Sequence, residues 1–167
     1  MNAITLRKQL FYTVRDIPYQ INTRERDTCC RSKTKILADL FIRIGLKARI
    51  ATGRFFWKDI GLPQSILQLA PTPTEYHFFL RVYIPESKKW ISVDPTWDVG
   101  LKTALPIAEW DGFTNTVFAV PIRRFTILKK NSVYVAPYAY PFTNFDPNDS
   151  FTRALNTWYA SLRKGGI

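Results

Sequence analysis

Two hydrophobic periods divide this chain, and the change between them limits the folds open to it. Up to Ile44, apolar residues recur every three or four positions: Leu6, Leu10, Phe11 and Val14 within 4–16, then Ile36, Leu37, Leu40, Phe41 and Ile44 within 30–44. That spacing lines one face of an α-helix. Pro18 closes the first segment, and Gly45 suits the left-handed residue just past the second. Beyond Gly45 the period falls to two. Strands are expected over 46–52, 76–84 and 90–94, with shorter ones near 116–120, 124–128 and 132–135. Gly61, Pro63, Pro71 and Pro73 mark 58–75 as a loop holding one helical turn around 65–69. A Tyr- and Pro-rich stretch, 136–147, leads to a last helix over 149–163, capped by Asp149 or Ser150; Asp27 or Thr28 is expected to cap the helix at 30–44. Helices followed by an antiparallel sheet make an α+β chain, and 167 residues suit one domain, 1–167.

The hairpin register follows from which residues must be buried together. Even positions of 76–84 are Tyr76, Phe78, Leu80, Val82 and Ile84, and the apolar partners across the turn are Ile91 and Val93. A four-residue connection, 85–88, pairs Leu80 with Val93 and Val82 with Ile91. The other face then carries His77, Phe79, Arg81 and Tyr83 beside Trp90, Ser92 and Asp94. Asp94 falls one diagonal from His77, within side-chain reach.

The histidine and cysteine content narrows the chemistry. The chain has one histidine, His77, and two cysteines, the adjacent Cys29 and Cys30. Three such residues fall short of a four-ligand structural zinc site, and neighbouring cysteines build no disulfide framework. What they allow is a thiol acting with an imidazole. Cys30 opens the best helix, where free amides and the helix dipole are expected to favour the thiolate and to face a developing oxyanion. Cys29 lies just before it. An aspartate on one imidazole nitrogen fixes the tautomer and leaves the other nitrogen to take a proton. Cys30, His77 and Asp94 are therefore the candidate catalytic residues. The scheme needs no cofactor, and no acidic calcium loop is present.

Charge adds less. Of the net +11, a surplus of eight lies in residues 1–60 and three in 61–167. A basic third attracts acidic surfaces, but no zinc-finger or RNP-type motif accompanies it, so nucleic acid is not the expected partner. No apolar run approaches the ~18 residues of a membrane span, and no signal-peptide core follows Met1–Arg7. A cytoplasmic protein away from the membrane is expected.

Four segments together resemble the transglutaminase-like superfamily, whose members have a papain-like cysteine-protease fold. Residues 10–19 (LFYTVRDIPY) are similar to the family's opening helix, and 30–49 (CRSKTKILADLFIRIGLKAR) to its nucleophile helix and the turn into a strand. Residues 76–84 (YHFFLRVYI) resemble the strand bearing the family histidine, and 89–98 (KWISVDPTWD) the block bearing its aspartate. The resemblance covers residues 7–98 and implies a Cys30–His77–Asp94 triad working through a thioester. It further implies hydrolysis or acyl transfer at amide bonds of a peptide or protein. The chain departs from the family pattern at Thr28 and Arg31, and leaves only Tyr19 and Gln20 as upstream candidates to complete an oxyanion hole. The alternative is a non-catalytic module of the same fold that meets an acidic partner through its basic N-terminal third.

Overall fold

The computed structural model describes residues 2–21, 27–129 and 149–165. Its first helix, α1, spans Ala3–Arg15, and the Asn2 side chain caps it by accepting from the Thr5 N–H at 2.7 Å. The second, α2, spans Cys30–Arg43 with Cys29 in the cap position and no side-chain cap. Neither expected residue caps it. Asp27 accepts from the Cys29 N–H and the Ser32 hydroxyl, while the Thr28 hydroxyl donates to the Pro18 carbonyl at 2.6 Å. At the other end Gly45 has φ +87°. Leu46 N–H reaches the Phe41 carbonyl and Gly45 N–H the Ile42 carbonyl, the paired bonds of a Schellman stop.

The remaining elements are β1 (Lys47–Phe56), α3 (Gln64–Leu67), β2 (Thr74–Ile84), β3 (Lys89–Val93), β4 (Phe125–Ile127) and α4 (Ser150–Lys164), with 3-10 turns at Trp57–Asp59 and Val99–Leu101. The strands form one antiparallel sheet in the order β3-β2-β1-β4. Leu80 faces Val93 and Val82 faces Ile91, the register that the buried alternation demands. Asp149 caps α4 through the Thr152 N–H. Residues 116–120 are not a strand. They run beside β3, where Thr116 N–H bonds the Ser92 carbonyl and Asn115 and Thr116 side chains take the Ser92 and Asp94 N–H groups. Side chains replace the ladder there. The strand expected at 132–135 and the stretch 136–147 lie outside the described residues.

β1 also runs four residues past its expected end, straight through Gly53. Glycine weakens a strand unless something needs the space its side chain would fill. Here the following segment does: a Cβ on Gly53 would stand 2.7 Å from the Arg124 carbonyl oxygen. Gly53→Ala is therefore expected to cost about 1–3 kcal/mol and to loosen β4. Urea melts, with hydrogen exchange at Phe125 and Ile127, check it.

Burial divides into two groups. On the even face of the sheet, Ile50, Phe78, Leu80 and Val82 pack under Phe11 and Val14 of α1 and Leu37 and Phe41 of α2. The second group joins Tyr19, Phe55, Trp57, Trp97 and Leu101 to Phe151, Leu155 and Tyr159, which recur every fourth residue along α4. Cys30 packs against both. Three basic side chains of the N-terminal third are internal: Arg7, Arg15 and Lys33. Part of that third's charge surplus is thus structural and unavailable to a partner. Among the described residues, no helix is long and apolar enough to cross a membrane.

Candidate active site

His77 lies near the start of β2, paired with Gly53 of β1, and the Thr52 hydroxyl donates to its backbone carbonyl at 3.0 Å. Its ring is 2% exposed. Phe79 stacks on it and Phe55 meets it edge-on, each with ring centroids 6.5 Å away. His77 Nε2 and Asp94 Oδ2 are hydrogen-bonded at 2.8 Å. The expected diagonal pairing of these two side chains is therefore present.

Asp94 is held on every side. Oδ2 also accepts from the Ala119 N–H at 2.8 Å, and Oδ1 accepts from the Thr96 hydroxyl at 2.6 Å and the Thr96 N–H at 3.2 Å. Trp97 Nε1 donates to the carbonyl of the same residue, so Ala119 is held through both of its backbone polar groups. Burial works to raise the Asp94 pKa, but His77, the Ala119 amide and Thr96 outweigh it and hold the carboxyl below its usual range. An ionised, immobile carboxylate on Nε2 sets the imidazole's orientation and leaves Nδ1 as its free nitrogen.

Cys30 occupies the first position of α2, partly exposed. One turn on, Thr34 donates from its hydroxyl to the Phe78 carbonyl at 3.0 Å, which docks this helix face onto β2. The Cys30 thiol meets the same residue's backbone, next in chain to His77, and that hydrogen bond favours the thiolate. The net effect is the opposite of what a helix start alone suggests. A hydrogen bond with Cys29 and then burial push the Cys30 thiol well above its ordinary value. The thiol rests protonated. Among the described residues no hydrogen bond joins the Cys30 sulfur directly to the imidazole.

A residue absent from the sequence argument ties these parts together. Lys33, one turn into α2 and fully buried, donates from Nζ to the carbonyls of Arg15 at 2.6 Å, Ile17 at 2.8 Å and Thr96 at 2.7 Å. It joins the end of α1 and the segment after β3 to the helix that carries Cys30. Burial lowers its pKa to about 7, against the pull of Asp98, Asp16 and Asp94. Asp98 forms a second tie: it accepts from the Tyr19 N–H and from Arg163 of α4, while Arg163 also donates to the Tyr19 carbonyl.

Other residues on this face serve the framework. Arg81 donates to the Ser92 hydroxyl and the Trp90 carbonyl, both at 2.7 Å, which clamps β2 to β3. Trp97 is buried behind Asp94, whereas Trp90 packs against Tyr83 and under the Arg49 guanidinium. Of the aromatic run at 55–57, Phe55 and Trp57 are core and Phe56 is exposed. Among the described residues, no three His, Cys, Asp or Glu side chains converge as a metal ion would require. Set against models of protein families, curated proteins and solved structures, the chain matches none of them.

Proposed function

We propose that this chain is a cysteine-dependent enzyme of the transglutaminase-like type, with a papain-like core, that cleaves or transfers at amide bonds of a peptide or protein. The observation that carries the reading is the 2.8 Å bond between His77 Nε2 and a fully partnered Asp94 carboxylate. Beside it, a thiol opens a helix docked on the same strand. Because that thiol rests protonated, His77 acts as a general base during attack and does not wait in a standing ion pair with sulfur. Nδ1 takes the thiol proton as the sulfur–carbon bond forms and the carbonyl electron pair moves to oxygen. When the carbonyl reforms, the C–N bond breaks and the imidazolium gives its proton to the departing amine. Water or a second amine then releases the acyl group by the same route in reverse. Hydrolysis is the favoured outcome, since water needs no subsite of its own.

A peptide-amide probe with a thiol-reactive warhead, applied near neutral pH, tests this. Adduct mapping by mass spectrometry is expected to place the label on Cys30, with Cys29 unmodified, and Cys30→Ala is expected to abolish it. Equal, slow labelling of both cysteines would return the chain to a binding module without turnover.

A further inference from the structure

A carboxylate with no partner stands in the wall of a cavity. The cavity holds about 330 Å³, and its lining includes the apolar residues Ile60, Phe118, Val120 and Ile122. That volume lies at the lower end of the roughly 300–1,000 Å³ of ligand pockets, which suits one long side chain. Among the described residues that line it, the charged one is Asp59.

Asp59 is exposed and has neither a hydrogen bond nor an ion pair. Every other described side-chain carboxylate has a hydrogen bond. The contrast is sharper because the chain carries a net charge of +11. Lys58, next in sequence, lies over the Phe56 ring at 5.6 Å instead. Apolar walls with one free carboxylate complement a group of opposite make-up, an apolar stem that ends in a cation. The aromatic ring in the wall favours arginine over lysine. A planar guanidinium takes a carboxylate through two hydrogen bonds and stacks on aromatic faces, which an ammonium does not.

The cavity shares residues with the surroundings of His77 and Asp94. Ala119 lines it and donates its N–H to Asp94 Oδ2 at 2.8 Å. Phe118 lines it and meets Phe79 edge-on at 4.7 Å between centroids, and Phe79 stacks on His77. We infer that this cavity binds the side chain of an arginine in a peptide, the stem against Ile60, Val120 and Ile122 and the guanidinium on Asp59. That the peptide is the substrate, and the cavity a subsite that selects it, rests on the function proposed above. The arginine is held and does not react.

Titration of the full chain with Nα-acetyl-arginine methylamide, followed by amide NMR shifts, tests this beside the lysine and citrulline counterparts. Citrulline keeps the shape of arginine and loses its charge. Arginine is expected to shift the Ala119, Val120 and Ile122 amides, and citrulline to bind there about fivefold more weakly. Lysine should fall between them. Asp59→Asn should erase the advantage of arginine and melt with the wild type, since no bond within the fold uses that carboxylate. An unshifted cavity, equal binding of arginine and citrulline, or full arginine affinity in Asp59→Asn overturns the inference. Lysine binding more tightly than arginine overturns it as well. A chain that binds arginine there while Cys30 stays inert to acyl donors keeps the site and loses the enzymatic reading. A Cys30 that acylates beside a cavity indifferent to arginine does the reverse.

Discussion

His77→Gln is expected to lower the rate of Cys30 acylation by roughly 10²–10⁴ at neutral pH, the range a positioned general base supplies. Glutamine keeps an N–H that can donate to Asp94, so the carboxylate retains its partners while the base is lost. Fold and chemistry are thereby separated: melting should change little and acylation should collapse. The pH profile carries the sharper signature. The Cys30 thiol is held well above its ordinary value, first by the hydrogen bond with Cys29 and then by burial. Without the imidazole, reactivity must wait for the thiol's own ionisation. Ester acylation by the variant should therefore climb steadily through pH 9 and beyond, whereas the wild type should react already near neutral pH. Stopped-flow release of p-nitrophenol between pH 6 and 10 measures both curves. Matching profiles would mean that the imidazole never accepts the proton.

Lys33→Met should be the most damaging single change to stability. Methionine nearly fills the lysine stem's volume, so the loss isolates the three carbonyls of Arg15, Ile17 and Thr96 that the ammonium serves. Orphaning them is expected to cost about 2–4 kcal/mol at pH 7, read from urea melts. The sign of the pH dependence follows from the shift. An unfolded lysine titrates near ~10.4, whereas in the folded chain burial brings Lys33 to about 7. Above pH 7 the unfolded chain holds more protons than the folded one, so wild-type stability rises with pH from about 7 to about 10. The buried ammonium is most costly below pH 7. The methionine variant lacks this rise, so the gap between the two proteins widens as pH increases. A gap that stays constant would show that Lys33 titrates normally. The released Thr96 would also let Asp94 drift, so acylation should fall in Lys33→Met even at temperatures where it remains folded.

Local pattern carried the parts of this molecule that are fixed by burial on one side. The hairpin register came from a single requirement, that Leu80, Val82, Ile91 and Val93 share a face, and the structure has those pairs. The same requirement put His77 and Asp94 on the other face and close enough to bond. Where the backbone leaves regular structure, alternation has nothing to report. The amide of Ala119 and the hydroxyl of Thr96 secure Asp94 from irregular segments, and residues 116–120, read as a strand, use side chains to bond the edge of β3. Lys33 was hidden for another reason. A lysine in a helix reads as solvated unless carbonyls from distant segments converge on it, and that convergence exists only in three dimensions.

The thiol shows one rule outweighed by others. A helix start lowers a cysteine pKa through its dipole and amides. At Cys30 a second thiol and burial act the other way and prevail. The cap of α2 failed on a smaller scale: the chemistry of Asp27 and Thr28 is right for a cap, but Thr28 is drawn back to Gln20 and Pro18 and the helix begins at Cys29 without it.

Arg163 ties α4 back to residues far earlier in the chain, reaching the Tyr19 carbonyl across 144 residues and Asp98 across 65. Tyr19 and Trp97 also rest against Tyr159 of the same helix. This helix thus forms one wall of the buried group against which Cys30 packs. Trimming the chain ahead of Ser150 would strip that wall away and uncover side chains from the opposite end of the sequence.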